Sequence, residues 1–296
     1  MSAPAPKDPG RLQGRRPSPR RVWGDRLGTL AMLVATVLVL LPVGMILFQI
    51  AQKGLGTMSW EFLTQAMPYS YRKIGGGFFN ALVGTAIMVG LATAVAVPLG
   101  VLAAIYLTEY GKKNLLATLI RFFSDVMTGV PSIFVGLFVY TAFVLPFGFG
   151  AVMGAAALAI IMLPIVVRST EEMLKLVPRE LKDASYALGA GTWQTTVRVV
   201  LPSALPGITT GVLLAVARAA GETAPLILTT LGAIEIVTKL VGAPISALPL
   251  AIFDGARSPF AAGQERAWAG ALELLLIVLV FTLLARVAAS RSRISR

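Results

Sequence analysis

Apolar residues in this chain run in blocks much longer than one face of a soluble helix needs. Residues 27–52, 74–108 and 126–167 contain no charged side chain. A helix rises about 1.5 Å per residue, so about 20 residues cross a hydrocarbon layer roughly 30 Å thick. The first block fits one span. The third would measure about 63 Å as a single helix, and Pro146-Phe147-Gly148-Phe149-Gly150 is the composition that turns a chain back on itself. Residues 199–234 are apolar except for Arg218 and Glu222, and 267–285 except for Glu273. The pattern predicts an all-α integral membrane protein with six transmembrane helices, at 27–50, 78–108, 119–145, 151–168, 203–231 and 267–288.

Charge orients these spans. The chain has 26 Lys and Arg against 14 Asp and Glu. With the N-terminus inside, 19 of the basic residues fall on inner segments and 6 on outer ones, and Arg218 lies within a span. Cytoplasmic loops of membrane proteins carry that excess, so both termini are expected in the cytoplasm. The basic balance is thus explained by topology and requires no nucleic acid. Residues 1–26 are rich in Pro and Arg and read as a disordered cytoplasmic tail. After the first helix, 51–74 reads as an extracytoplasmic loop, 75–288 as the transmembrane domain, and 289–296 as a second basic tail. Trp23 and Trp268 fall at helix ends, where indoles favour the lipid interface.

The absence of Cys and His removes thiolate and imidazole metal ligands and the usual general base. Gly111-Lys112-Lys113 lacks the first glycine and the hydroxyl residue of a phosphate-binding loop. A non-catalytic chain that binds no cofactor is expected.

The inner connection after the fourth span has its own organisation. Pro178-Arg179-Glu180 suits the first turn of a helix, and Gly189 and Gly191 suit its end. A second short helix then leads into Val199-Val200-Leu201-Pro202. Such a helix either lies on the membrane surface or docks on another protein. The spacing of Asp183-Ala184-Ser185, Gly189, Leu201 and Pro202 resembles the signature of membrane subunits of type I ABC importers, with Asp and Ser replacing the commoner Glu and second Ala. That resemblance implies cytoplasmic coupling helices near 171–198 that dock on ATPase subunits.

Arg218 and Glu222 are four residues apart, hence on one face of a continuous helix. A lone charge at mid-bilayer costs about 2.5–3.5 kcal/mol on insertion scales, so such groups tend to face a bundle interior or a pathway. The bland alternative is a pair that merely neutralises itself. Thr223, Thr229 and Thr230 add hydroxyls, which in membrane helices usually bond their own backbone. Pro225 is expected to kink the helix, and Arg168 to anchor the inner interface.

The segment AVARAAGETAPLILTT (215–230), with GGGFFNALVGT (75–85), VPLGVLAAIYLTEYG (97–111), GVPSIFVGLF (129–138) and IIMLPIVVRSTEEMLKLVPREL (160–181), resembles PstA-type permease subunits of phosphate ABC importers. The resemblance implies the MetI-like fold and an inner-membrane location. It implies a substrate pathway at Arg218, Glu222 and Thr223, where a guanidinium fork matches phosphate oxygens. It also implies a second permease subunit, an ABC ATPase dimer holding ATP and Mg, and an extracytoplasmic phosphate-binding protein. One alternative is a related permease for molybdate, sulfate or phosphonate. Another is an ion-coupled carrier using Glu222 as a proton site, although no internal duplication is visible.

The orientation has a direct test, because the chain contains no Cys. In intact spheroplasts an impermeant thiol reagent should label Gln65→Cys and leave Ser185→Cys unmodified. Outside labelling of Ser185→Cys would end the proposed topology.

Overall fold

A computed structural model of the chain describes residues 19–111 and 114–294. Residues 1–49 and 50–296 form two separate units. In the first, helix α1 (Pro19–Thr57) begins eight residues ahead of the expected span and carries Pro42 in its interior. The expected disordered tail is therefore helical from Pro19 onward, and its residues 1–18 lie outside the described residues. The span's apolar side chains, from Leu27 to Phe48, are exposed, as suits a lipid-facing helix.

The second unit opens with the last turns of α1 and a one-turn helix, α2 (Trp60–Thr64), whose Ser59 accepts the Phe62 N–H. Arg266 organises the loop that follows. Its buried guanidinium donates to the carbonyls of Tyr71, Lys73 and Gly75. Helix α3 (Phe79–Ile105) then ends in a wide turn over Tyr106–Tyr110, closed by Gly111 N–H to the Tyr106 carbonyl at 2.7 Å.

The expected helix at 119–145 is not one helix. Helix α4 (Leu115–Gly129) and α5 (Ser132–Val139) meet at 107°, and α5 continues through Tyr140–Val144 into the single turn α6 (Leu145–Phe147). The residue before a proline avoids the helical region, and Val130 before Pro131 is extended at φ −72°, ψ 127°. Gly148, at φ +81°, makes the predicted hairpin with a backbone that side-chain-bearing residues resist.

Helix α7 (Ala151–Lys175) extends well past the expected end at 168. Two short helices follow, α8 (Arg179–Ala187) and α9 (Thr192–Thr195), and a wide turn over Thr196–Val200 leads into α10 (Leu201–Ala220). Here too the expectation of one helix over 203–231 fails. Helix α10 stops at Gly221, and Pro225 sits in the first turn of a separate helix, α11 (Ala224–Thr229), rather than kinking a continuous one. The segment between the last two expected spans, 232–266, contains α12 (Leu248–Arg257), buried at Leu248, Pro249, Leu250 and Ala251. Its ten residues are too few to cross a bilayer. Helix α13 (Ala261–Ile294) is the last of the described elements. Among the described residues five helices are long and apolar enough to span a membrane, and the bent α4–α5 pair makes a sixth.

The core is the parallel seam of α3 and α7. Every fourth residue of α3 (Met88, Ala92, Ala96, Gly100) faces every fourth of α7 (Gly154, Leu158, Met162, Val166). Large and small residues alternate across it, with Met88 in the space over Gly154 and Val166 over Gly100. In lipid, where burial of apolar surface gains little, such close van der Waals packing drives helix association. Gly84 does the same on the outer side: a Cβ there would collide with the Ser246 carbonyl. That approach lets the Leu248 N–H reach the Thr85 hydroxyl at 2.7 Å, fixing α12 against α3. Gly84→Ala should therefore destabilise the solubilised protein by about 1–3 kcal/mol, the usual cost of overpacking. Gly90→Ala, where the added Cβ meets nothing within 4 Å, should melt like the wild type.

Candidate functional site

The two helix breaks come together. Helix α5 packs on α11 through Gly136, where a Cβ would lie 2.7 Å from the Pro225 Cα. This contact brings the 107° bend between α4 and α5 beside the α10–α11 turn at Gly221–Thr223. A cleft of about 220 Å³ opens there, lined by Thr128, Pro131 and Ser132 from the bend, Ile161 and Pro164 from α7, and Arg218 from the last turn of α10.

The guanidinium of Arg218 makes no hydrogen bond among the described residues. Its Nε lies 3.6 Å from the Glu222 Oε1, an ion contact beyond hydrogen-bonding distance, and its side chain is 64% exposed against 16% for Glu222. Arg121, Arg168 and Arg266 behave differently, each donating to side-chain or backbone oxygens. Glu222 does not share a helix with Arg218, as the spacing had suggested. It lies past the Gly221 cap, its N–H bonded to the Ala219 carbonyl at 3.2 Å. The pairing survives because the turn is tight. Thr223 precedes α11 and its hydroxyl does not cap that helix. Thr229 and Thr230 are buried and donate to the carbonyls of Pro225 and Leu226, as hydroxyls in membrane helices usually do.

An ionic cluster ties the inner ends of α4 and α7. Glu171, fully buried, receives Arg121 at 3.0 Å and Lys175 at 2.8 Å, with Arg168 at 3.6 Å. Arg121 also donates to the Leu107 carbonyl, and Arg168 pairs with Asp125. Arg168 is thus a tie between two helices as well as a charge at the interface. Glu171 emerges only in three dimensions, although its spacing from Lys175 marks half of the cluster.

Below the cluster, α8 has no buried residue. Asp183 and Ala184 are exposed, and the Ser185 hydroxyl is 2.9 Å from that of Thr195 on α9. Gly189 ends the helix with φ +84°, the left-handed conformation expected of it. Gly191 does not: at φ −76° it is the extended residue that opens α9, its N–H held by Gln194 at 3.2 Å. Leu201 and Pro202 form the first turn of α10, where Pro needs no helical donor. Leu176, Leu188 and Trp193 present 72%, 89% and 59% of their surfaces around α8. One anchor went unread in the sequence: Lys182 reaches up to Glu109 at 2.6 Å, a carboxylate only 3% exposed in the wide turn ending α3.

Sequence and structure comparisons agree on what this arrangement resembles. Residues 96–294 match the family described as "Binding-protein-dependent transport system inner membrane component". A "Phosphate transport system permease protein PstA" of Yersinia pestis is 46% identical over 243 residues, 82% of each chain. "PstA 1" of Mycobacterium tuberculosis H37Rv is 37% identical over 286 residues, 93% of this chain and 91% of that one. The fold matches a bacterial alginate ABC transporter with a TM-score of 0.66 at 14% identity, covering 92% of this chain and 96% of the other.

The Lys182–Glu109 pair should fix α8 to the end of α3. Glu109→Gln should speed amide exchange across 179–187 by about tenfold, as expected for loss of a hydrogen bond to a charged group. The exchanged pair Glu109→Lys/Lys182→Glu should restore protection. Unchanged exchange in Glu109→Gln would show that α8 is held by other contacts.

Proposed function

Because the chain belongs to the binding-protein-dependent transport inner membrane components, and among them to the PstA phosphate transport permeases, we propose that Arg218 is its contact with phosphate in transit. The chain is a non-catalytic, multi-pass permease subunit of the phosphate ABC transport system in the inner membrane. The observation that carries the proposal is a guanidinium at the cleft where two broken helices meet, held there by one ion contact and by no hydrogen bond. Arg218 keeps its donors available to an anion, for which its planar fork is suited. Glu222, at 3.6 Å, orients the guanidinium without consuming its hydrogen bonds, and Thr223 places one more hydroxyl on the same turn.

The remainder of the assembly follows from the same reading. The exposed Asp183 and Ala184, the half-buried Ser185, the turn at Gly189 and the start of α10 at Leu201 and Pro202 form the coupling surface for an ATPase dimer. The exposed apolar groups Leu176, Leu188 and Trp193 supply the contact area. ATP and Mg are held by those ATPase subunits. A second permease subunit completes the pathway, and a phosphate-binding protein delivers the anion from outside, with both termini of this chain in the cytoplasm.

Phosphate uptake at matched membrane expression tests the assignment. Arg218→Gln should lower uptake by at least about tenfold, since the amide offers neither the charge nor the paired donors. Arg218→Lys should recover part of it, and Glu222→Gln should impair it while leaving the complex assembled. A self-neutralising pair requires instead that Arg218→Gln/Glu222→Gln regain the function that each single change destroys. That recovery would overturn the assignment.

A further inference from the structure

Phosphate has four oxygens, and a guanidinium fork meets two of them. In a site withdrawn from water the other oxygens also need partners, because a buried polar group left without a hydrogen bond is costly. The cleft provides few. Besides Arg218, its polar side chains are Thr128 and Ser132, one on each side of the α4–α5 bend; the rest of the lining is apolar.

Neither hydroxyl makes the bond most common among the threonines of these helices. Thr108, Thr141, Thr209, Thr210 and Thr282 each donate to the carbonyl four residues earlier, which occupies the proton. Ser132 is the first residue of α5 and follows the bend, so it has no such carbonyl in its own helix. It is half-buried and has no hydrogen-bond partner among the described residues. Thr128 donates to the Asp125 carbonyl at 2.6 Å, which commits its proton and leaves the oxygen lone pairs. One hydroxyl is thus a free donor and the other a fixed acceptor.

We infer that Ser132 and Thr128 complete, with Arg218, an oxyanion seat for protonated phosphate in the cleft at the α4–α5 bend. Ser132 donates to an ionised P–O⁻ oxygen, and Thr128 accepts from a P–OH group. Arg218 supplies the charge. The inference rests on the reading of Arg218 as a phosphate contact and adds two positions to it. It also gives the bend a purpose: a straight helix through 119–145 would leave a residue at 132 a carbonyl four residues back to bond, and would close the cleft.

The test uses the assembled transporter in membrane vesicles, with uptake of radioactive phosphate normalised to the amount of complex recovered. Ser132→Ala and Thr128→Val should each reduce uptake by about tenfold, the scale of one hydrogen bond to a charged group. Ser132→Thr and Thr128→Ser, which keep the hydroxyl, should retain most of it. Wild-type uptake in both Ser132→Ala and Thr128→Val, alongside loss in Arg218→Gln, would overturn the seat and leave the Arg218 assignment standing. Normal uptake in Arg218→Gln would remove the assignment itself. If Ser132→Ala fails to assemble, Ser132→Cys decides, since the chain has no other cysteine. During turnover, phosphate should slow modification of that thiol by an anionic methanethiosulfonate, and an unchanged rate would overturn the seat.

Discussion

Within hydrocarbon no water satisfies a broken backbone or an isolated charge, so a membrane chain interrupts a helix only where protein or a polar cavity takes over. This chain makes that interruption twice at one place. The α4–α5 bend and the α10–α11 turn are clamped together where Gly136 meets Pro225. Arg218, on the last turn before one break, faces the cleft left by the other. The remaining structure serves to hold these breaks in register. The α3–α7 seam provides a rigid backing, and α12, bonded to Thr85, fills the outer side with a helix too short to span.

The inner half is held by charge. Glu171 gathers Arg121, Lys175 and Arg168 from two helices, so α4 and α7 end as one body. Loss of this one carboxylate would leave three cations without their shared counter-charge, whereas loss of one cation leaves Glu171 two others. Lys182 and Glu109 extend this frame to α8. Movement imposed on the proposed coupling surface therefore has a physical route: α8 pulls on the turn that ends α3, and α3 packs along α7, whose Ile161 and Pro164 line the cleft.

Much of this was legible in the sequence. Uncharged blocks, the hairpin at 146–150 and the short helices at 179–195 follow from composition and spacing. Both breaks were missed: the first lies in residues as apolar as a continuous span, and at the second Arg218 and Glu222 were read as one face of a helix. A distinguishing mark was nonetheless present. Pro42, Pro98, Pro164 and Pro206 stay inside helices, and none has a glycine in the four residues before it. Pro131 follows Gly129, and Pro225 follows Gly221. Proline alone bends a helix, whereas a preceding glycine supplies the flexible end at which the helix can stop. The Arg218–Glu222 spacing led to a true pair for an incomplete reason, since the two residues meet across a turn. Lys182–Glu109 joins residues 73 apart in sequence, and no local pattern marks it.

The proposed role of Arg218 can be seen directly in an electron cryomicroscopy map of the assembled transporter, trapped during turnover with phosphate. Phosphate density in the cleft, within about 3 Å of the guanidinium and displacing Glu222 from it, is the predicted result. Phosphate density elsewhere along the pathway, with Arg218 still paired to Glu222, would contradict it.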